Sequence, residues 1–186
     1  MFAGLSRRLG LALVVLLAVT PMTAMAERMA LVIGMADYQH TRPLNNTVND
    51  ARAIAAELED IGVEVTLSTD ATRDELLQTM SDFAFRSETA DLALIYFAGH
   101  GVEVQGENYL IPVDAEVHSA RDVQQHAVSL EQFMDTVRNA RVMRVVILDA
   151  CRDNPYSDLI ETRTATSTSS EGGRRRGARA AAGLPP

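Results

Sequence analysis

Leu92-Ala93-Leu94-Ile95-Tyr96-Phe97-Ala98-Gly99-His100-Gly101 decides how this chain folds. An uncharged apolar run ends in a glycine-flanked histidine. A second run, Val142-Met143-Arg144-Val145-Val146-Ile147-Leu148, ends in Asp149-Ala150-Cys151-Arg152. Near-continuous apolar runs rich in β-branched and aromatic residues suit strands covered on both faces of a parallel sheet. Open α/β sheets present their chemistry at the carboxyl ends of such strands. His100 and Cys151, the single cysteine of the chain, are therefore expected at the same end of one sheet.

The flanking sequence supplies the rest of that sheet and its cover. Met29–Gly34 reads as a first strand. Val48, Ala51, Ile54, Ala55 and Leu58 recur on one helical face, which predicts a helix to Asp60. Val63–Leu67 is a second strand. Thr72 and Glu75 form a capping box ahead of Leu76, Leu77, Met80, Phe83 and Ala84, a second helix. The third strand spans Leu92–Ala98, and Val102–Ile111 reads as a hairpin turning at Gly106. Ser129 and Gln132 cap a third helix through Val137, and Val142–Leu148 is the fourth strand. This alternation predicts an α/β fold, a mostly parallel sheet with helices on both faces.

A thiol of pKa ~8.5 is mostly protonated at neutral pH, so a nucleophilic cysteine needs a base or a positive neighbour. His100 is the candidate general acid and base, Cys151 the candidate nucleophile. Taken singly, each has a plainer reading: a turn histidine between glycines, and an inert buried thiol. Their delivery to one sheet end favours the reactive reading. His40, His118 and His126 fall in loop-like stretches and read as surface residues, and no His/Cys cluster has zinc spacing. No glycine-rich phosphate loop follows the first strand, where Gly34-Met35-Ala36-Asp37 has one glycine. That argues against a flavodoxin-like small-ligand binder.

Three segments, Leu44-Asn45-Asn46-Thr47-Val48-Asn49-Asp50-Ala51, Tyr96–Gly101 and Leu148–Arg152, resemble the boxes of the caspase-like superfamily, peptidase family C14. The resemblance is greatest to its bacterial metacaspase-like branch and runs from Met29 to Pro155. Cys151 lies 51 positions after His100, near the ~50 of caspase-type proteases. The resemblance implies a three-layer sandwich and a cysteine-type endopeptidase with a Cys151–His100 dyad. It implies an oxyanion hole from the backbone amides of Gly101 and Cys151. It also implies that Asp50 and Asp149 line the pocket for the residue before the scissile bond, which favours cleavage of peptides or proteins after Arg or Lys. A pair of carboxylates there would accept a guanidinium fork. Some metacaspases take calcium; here Glu103–Tyr109 does not match their acidic pattern, and Asp114 and Glu116 are only loose oxygen donors. No metal or other cofactor is expected.

Composition sets the surroundings. Arg7 and Arg8 precede a short apolar run, Leu9–Val19, and an Ala24-Met25-Ala26 cleavage signal. Residues 1–26 thus read as a secretory signal peptide, giving an exported, periplasmic or secreted protein without a stable membrane anchor. From Glu27 onward the chain carries 15 arginines, no lysine and 25 acidic residues, a formal charge of −10. Nucleic acid is not expected as a partner. The catalytic domain is expected over residues 27–156. Residues 157–186, rich in Thr, Ser, Gly and Arg, read as a disordered or truncated tail. The family's domains continue with two further strands, whereas the 35 residues after Cys151 contain none that reads as a strand. A domain lacking its last strands is therefore expected, with an open sheet edge that invites self-association. The alternative function is a catalytically silent caspase-fold module acting in binding or regulation.

Overall fold

Between Met29 and Gly34 the chain has no polar side chain, so an extended segment there is stable only with both faces covered. In the computed structural model, which describes residues 26–151, it forms β1 (Arg28–Gly34), buried from Met29 onward. The other strands are β2 (Glu64–Thr69), β3 (Leu92–Val104), β4 (Glu107–Leu110), β5 (Val128–Ser129) and β6 (Met143–Cys151). β1 pairs in parallel with β2 on one side and β3 on the other, and β3 pairs in parallel with β6. The parallel sheet therefore runs β2–β1–β3–β6. The far end of β3 turns into an antiparallel hairpin with β4, which continues to β5. The expected class, α/β with a mostly parallel sheet between helices, is what the chain adopts.

The two faces are covered differently. Ala30, Val32, Tyr96 and Ala98 share a cluster with Ala51, Ala55 and Leu58 of helix α1 (Thr47–Asp60). Leu31, Ile33, Ile95 and Phe97 belong to a larger cluster that includes Leu76, Met80 and Phe83 of α2 (Arg73–Arg86). The same cluster takes Val123 from α3 (Ala120–His126) and Phe133 from α4 (Leu130–Thr136). Phe97 and Phe133 meet edge to face with ring centroids 5.7 Å apart. The capping boxes at Thr72/Glu75 and Ser129/Gln132 both form as the sequence predicts.

Small residues set how closely α1 approaches β1. A Cβ at Gly34 would stand 2.7 Å from Ala51 Cβ and 2.9 Å from the Thr47 carbonyl oxygen. The obstacle is largely helix backbone, which cannot swing aside. Gly34→Ala is thus expected to lower stability by about 1–3 kcal/mol, the usual range for overpacking. Thermal denaturation should show a lower Tm with the far-UV circular dichroism of the folded state retained.

Three features depart from the sequence reading. The third strand does not stop at Ala98; β3 continues through Gly99-His100-Gly101 to Val104. Glycine reads as a break, but here it makes room: a Cβ at Gly99 would lie 2.7 Å from Tyr38 Oη and 2.8 Å from Phe97 Cζ. Likewise β6 runs through Cys151 instead of ending before it. α3 and β5 are too short to show a periodic pattern, and the sequence reading does not contain them. The hairpin turn does fall at Gln105-Gly106, both with positive φ, 55° and 85°, as a tight primed turn requires.

Among the described residues β2 and β6 are the edges of the parallel sheet, and both are partly exposed. In β6, Met143 is 52% exposed, Ile147 45% and Leu148 40%. No helix among the described residues is long and apolar enough to cross a membrane. Residues 1–25 of the expected leader and the expected tail from 157 lie outside the described residues.

Candidate active site

β3 and β6 run side by side in register, and the last pair of that register is His100 with Cys151. Neighbouring strands in a sheet stand about 4.8 Å apart, so the backbones of the two residues face each other at contact distance. The sheet thus brings together two residues separated by 51 positions.

His100 is completely buried. Its backbone amide donates to Tyr38 Oη at 2.8 Å, and the two rings pack at 4.5 Å between centroids, tilted by 47°. Its Nε2 lies 2.9 Å from the Arg42 carbonyl oxygen. A carbonyl can only accept, so the ring carries its proton on Nε2. Nδ1 then holds a lone pair, and it has no hydrogen-bond partner among the described residues. Burial holds the His100 pKa below the ordinary histidine value; the bond to the Arg42 carbonyl opposes that shift, and the Arg42 charge adds to it. The ring is thus a neutral, oriented base at neutral pH. Tyr38 and Arg42 are the neighbours of His100 that sequence reasoning missed. Arg42 acts through its main chain, which leaves no side-chain signature, and Tyr38 is an aromatic in an aperiodic loop.

Gly101 continues β3 opposite Leu110. Ile111 N–H donates to the His100 carbonyl at 3.0 Å, which makes 100 and 111 the bonded pair of that antiparallel ladder. The next pair, Gly101 with Leu110, is then a non-bonded one, so the Gly101 amide points away from β4. A Cβ at Gly101 would meet Ala150 Cβ at 3.2 Å, so the glycine also permits the close approach of β3 to β6.

Asp149 meets the Tyr96 hydroxyl, and the charge of Asp50 acts on the same group. Tyr96 Oη donates to Asp149 Oδ2 at 3.3 Å. The Tyr96 pKa is raised, first by burial, then by the charge of Asp149 and its hydrogen bond, and also by the charge of Asp50. Asp50 stands in the first turn of α1, at the end where a carboxylate is favoured. Both carboxylates are exposed. Tyr96 could have been found from the sequence, since it shares strand parity with Ala98 and His100.

The loose oxygen donors are engaged elsewhere. Asp114 Oδ1 accepts from the Arg73 amide at 2.8 Å. Glu116 lies 3.0 Å from His118 Nε2, and that bond holds its carboxyl below the usual range. Among the described residues no group of three or more His, Cys, Asp or Glu side chains is arranged to hold a metal ion. A cavity of about 470 Å³ opens on the other side of β6, lined by Leu130, Met134, Val137, Val146 and Leu148 with Arg138 and Arg144. It contains neither His100 nor Asp149.

A mostly parallel sheet with helices on both faces, carrying a buried histidine opposite a cysteine at the carboxyl end of two neighbouring strands, places the chain in the α/β class. The chain belongs to the caspase domain family, peptidase C14, whose family model matches residues 27–182. It is 28% identical over 138 residues to human mucosa-associated lymphoid tissue lymphoma translocation protein 1, covering 72% of this chain and 16% of that protein. It is also 28% identical over 137 residues to mouse caspase-1, covering 70% of this chain and 32% of that protein. The chain thus spans under a third of the length of these curated relatives. A crystal structure of a Geobacter sulfurreducens protein shares the fold, with a TM-score of 0.55 and 18% identity over 82% of this chain and 67% of that one.

Proposed function

We propose that this domain is a cysteine-type endopeptidase that cleaves after Arg or Lys, with Cys151 as nucleophile and His100 as proton carrier. One observation carries the reading. His100 faces Cys151 across the β3–β6 ladder, its Nε2 already engaged by the Arg42 carbonyl and its Nδ1 open. In this scheme the thiol proton passes to Nδ1 as sulfur bonds to the scissile carbonyl carbon. The carbonyl electron pair moves onto oxygen, where the amides of Gly101 and Cys151 receive it. His100 then protonates the leaving amine as the C–N bond breaks, leaving a thioester on Cys151. Water, deprotonated by the same imidazole, hydrolyses the thioester and restores the thiol.

The preference for a basic residue is supported by the Asp149–Tyr96–Asp50 grouping and by the Asp-Ala-Cys word of the metacaspase-like branch. The Tyr96 hydroxyl occupies one Asp149 oxygen and leaves the other for a guanidinium. Two fluorogenic peptides differing only in Arg or Asp before the scissile bond test this. The arginyl peptide is expected to be the better substrate, and Asp149→Asn should lower its kcat/KM about tenfold. The loss is modest because an exposed carboxylate is already partly solvated; a buried pair would lose more. Preference for the aspartyl peptide overturns the pocket.

A second reading, a non-catalytic caspase-fold module, is favoured by the exposed apolar surface of β6 and the cavity beside it. Such a surface suits pairing with another chain, including a second copy of this one. The two readings part on one measurement. Cys151-dependent turnover of the arginyl peptide supports the first, and its absence in the folded protein supports the second.

A further inference from the structure

We propose that Asp70 is a positioning residue for His100, acting through the loop that carries Tyr38 and Arg42. The proposal rests on the reading of His100 as the proton carrier, and nothing in the three sequence boxes points to Asp70. Asp70 follows β2 directly, in a left-handed backbone conformation with φ 50°. Aspartate is one of the few side chains that tolerates this conformation. The turn sends its carboxylate to the exit of β1. There Oδ1 accepts from two successive amides, Ala36 N–H at 2.6 Å and Asp37 N–H at 3.0 Å. The amide of Asp70 itself donates to the Gly34 carbonyl at 2.9 Å. Three hydrogen bonds thus tie one residue to the turn 34–37, two of them strengthened by the charge of the acceptor.

The groups that orient the imidazole sit in the loop that leaves that turn, and Gln39 N–H also ties this loop to the Val113 carbonyl at 2.8 Å. The Ala36 carbonyl accepts from the Tyr38 and Leu44 amides, both at 3.0 Å, which closes the loop from 36 to 44. Tyr38 presents its hydroxyl to the His100 amide and its ring to the imidazole, and Arg42 presents its carbonyl to Nε2. The opposite side of the loop is secured by Thr47 Oγ1, which donates to the Met35 carbonyl at 2.6 Å. Asp70 therefore stands two steps from the ring and on the far side of β1 from it, since β2 and β3 flank β1. Without its carboxylate, the two amides of the turn lose their acceptor. The remaining anchors, Gln39 N–H on the Val113 carbonyl and Thr47 Oγ1 on the Met35 carbonyl, then hold the Arg42 carbonyl less firmly, and the proton on Nε2 has a looser partner. A misplacement of 1 Å in a catalytic group can cost ~10²-fold in rate, so a loop anchored this far away can still govern the chemistry.

Asp70→Gly is the informative variant. Glycine adopts φ 50° without strain, so only the carboxylate is lost. Asp70→Asn keeps a neutral acceptor in place and should show the same effect at smaller size. The ring nitrogens of His100 are followed by 15N NMR in the full chain, and Cys151 reactivity by its rate of alkylation with iodoacetamide across pH. In wild type the His100 ring is expected to show a single Nε2–H tautomer titrating below the ordinary value. In Asp70→Gly the Nε2–H signal should broaden into exchange and the titration should move up as water reaches the ring. Alkylation should slow about 10- to 100-fold in Asp70→Gly and about threefold in Asp70→Asn. If Asp70→Gly does not fold, Asp70→Asn carries the test alone. Unchanged ring signals and alkylation rates in the folded variants, with only a lower Tm, would overturn the proposal. A changed ring with unchanged Cys151 reactivity would uphold the positioning of His100 and remove the dyad reading instead.

Discussion

Replacing His100 with Ala is expected to lower Cys151-dependent hydrolysis of an arginyl peptide by ~10²–10⁴-fold, the share general acid–base catalysis usually carries. Cys151→Ala should abolish turnover, since no other thiol exists in the chain. The pH profile separates a chemical role from a packing role. Burial depresses the pKa of His100, so the rate should rise through a midpoint below about 6.5, the ordinary histidine value, and level off above it. The same shift acts on stability. Between the folded pKa and ~6.5 the unfolded chain binds more protons at this site than the folded one, so stability rises with pH across that window. The contribution is complete above the unfolded value and is lost as pH falls through the folded one. His100→Gln should remove this dependence. A His100→Ala protein with wild-type turnover would end the dyad reading.

Phe97→Ala is expected to cost about 3–5 kcal/mol, the range for removing a buried phenylalanine. Phe97 is fully buried, touches Phe133 edge to face, and abuts the space that Gly99 leaves open. Small domains have only ~5–15 kcal/mol of net stability, so this one change removes a large part of it. At ~2–8 °C per kcal/mol for domains of this size range, the Tm should fall by at least about 6 °C. Urea denaturation should show a lower midpoint with an unchanged slope. A loss under 1 kcal/mol would mean that Phe97 does not hold α4 against β3 as the packing indicates.

Much of the fold was legible because strand burial writes itself into composition. Met29–Gly34 and Leu92–Ala98 are apolar at nearly every position, which only a covered parallel strand requires. The helices followed from capping boxes and periodicity, both local in sequence. His100 and Cys151 were legible because each ends such a run, and the register then sets them face to face. The family was legible in three short words, and the match over residues 27–182 bears it out.

What the sequence could not convey was which groups set the chemistry of those two residues. The tautomer of His100 depends on the main-chain carbonyl of Arg42, and any residue at that position carries the same carbonyl. The continuation of β3 through Gly99 depends on Tyr38, 61 positions earlier, filling the space a side chain would need. Asp70 looks like an ordinary turn residue until its carboxylate is seen to hold two amides 33 and 34 positions away. The sequence by itself determined the four long strands of the parallel sheet and the two candidate side chains at their ends, because those properties belong to single residues and short periods. Only the tertiary structure decided the proton on the imidazole, the exposure of Asp50 and Asp149 and the support behind the loop. Those follow from backbone hydrogen bonds and packing between segments distant in sequence, whose geometry no residue carries alone.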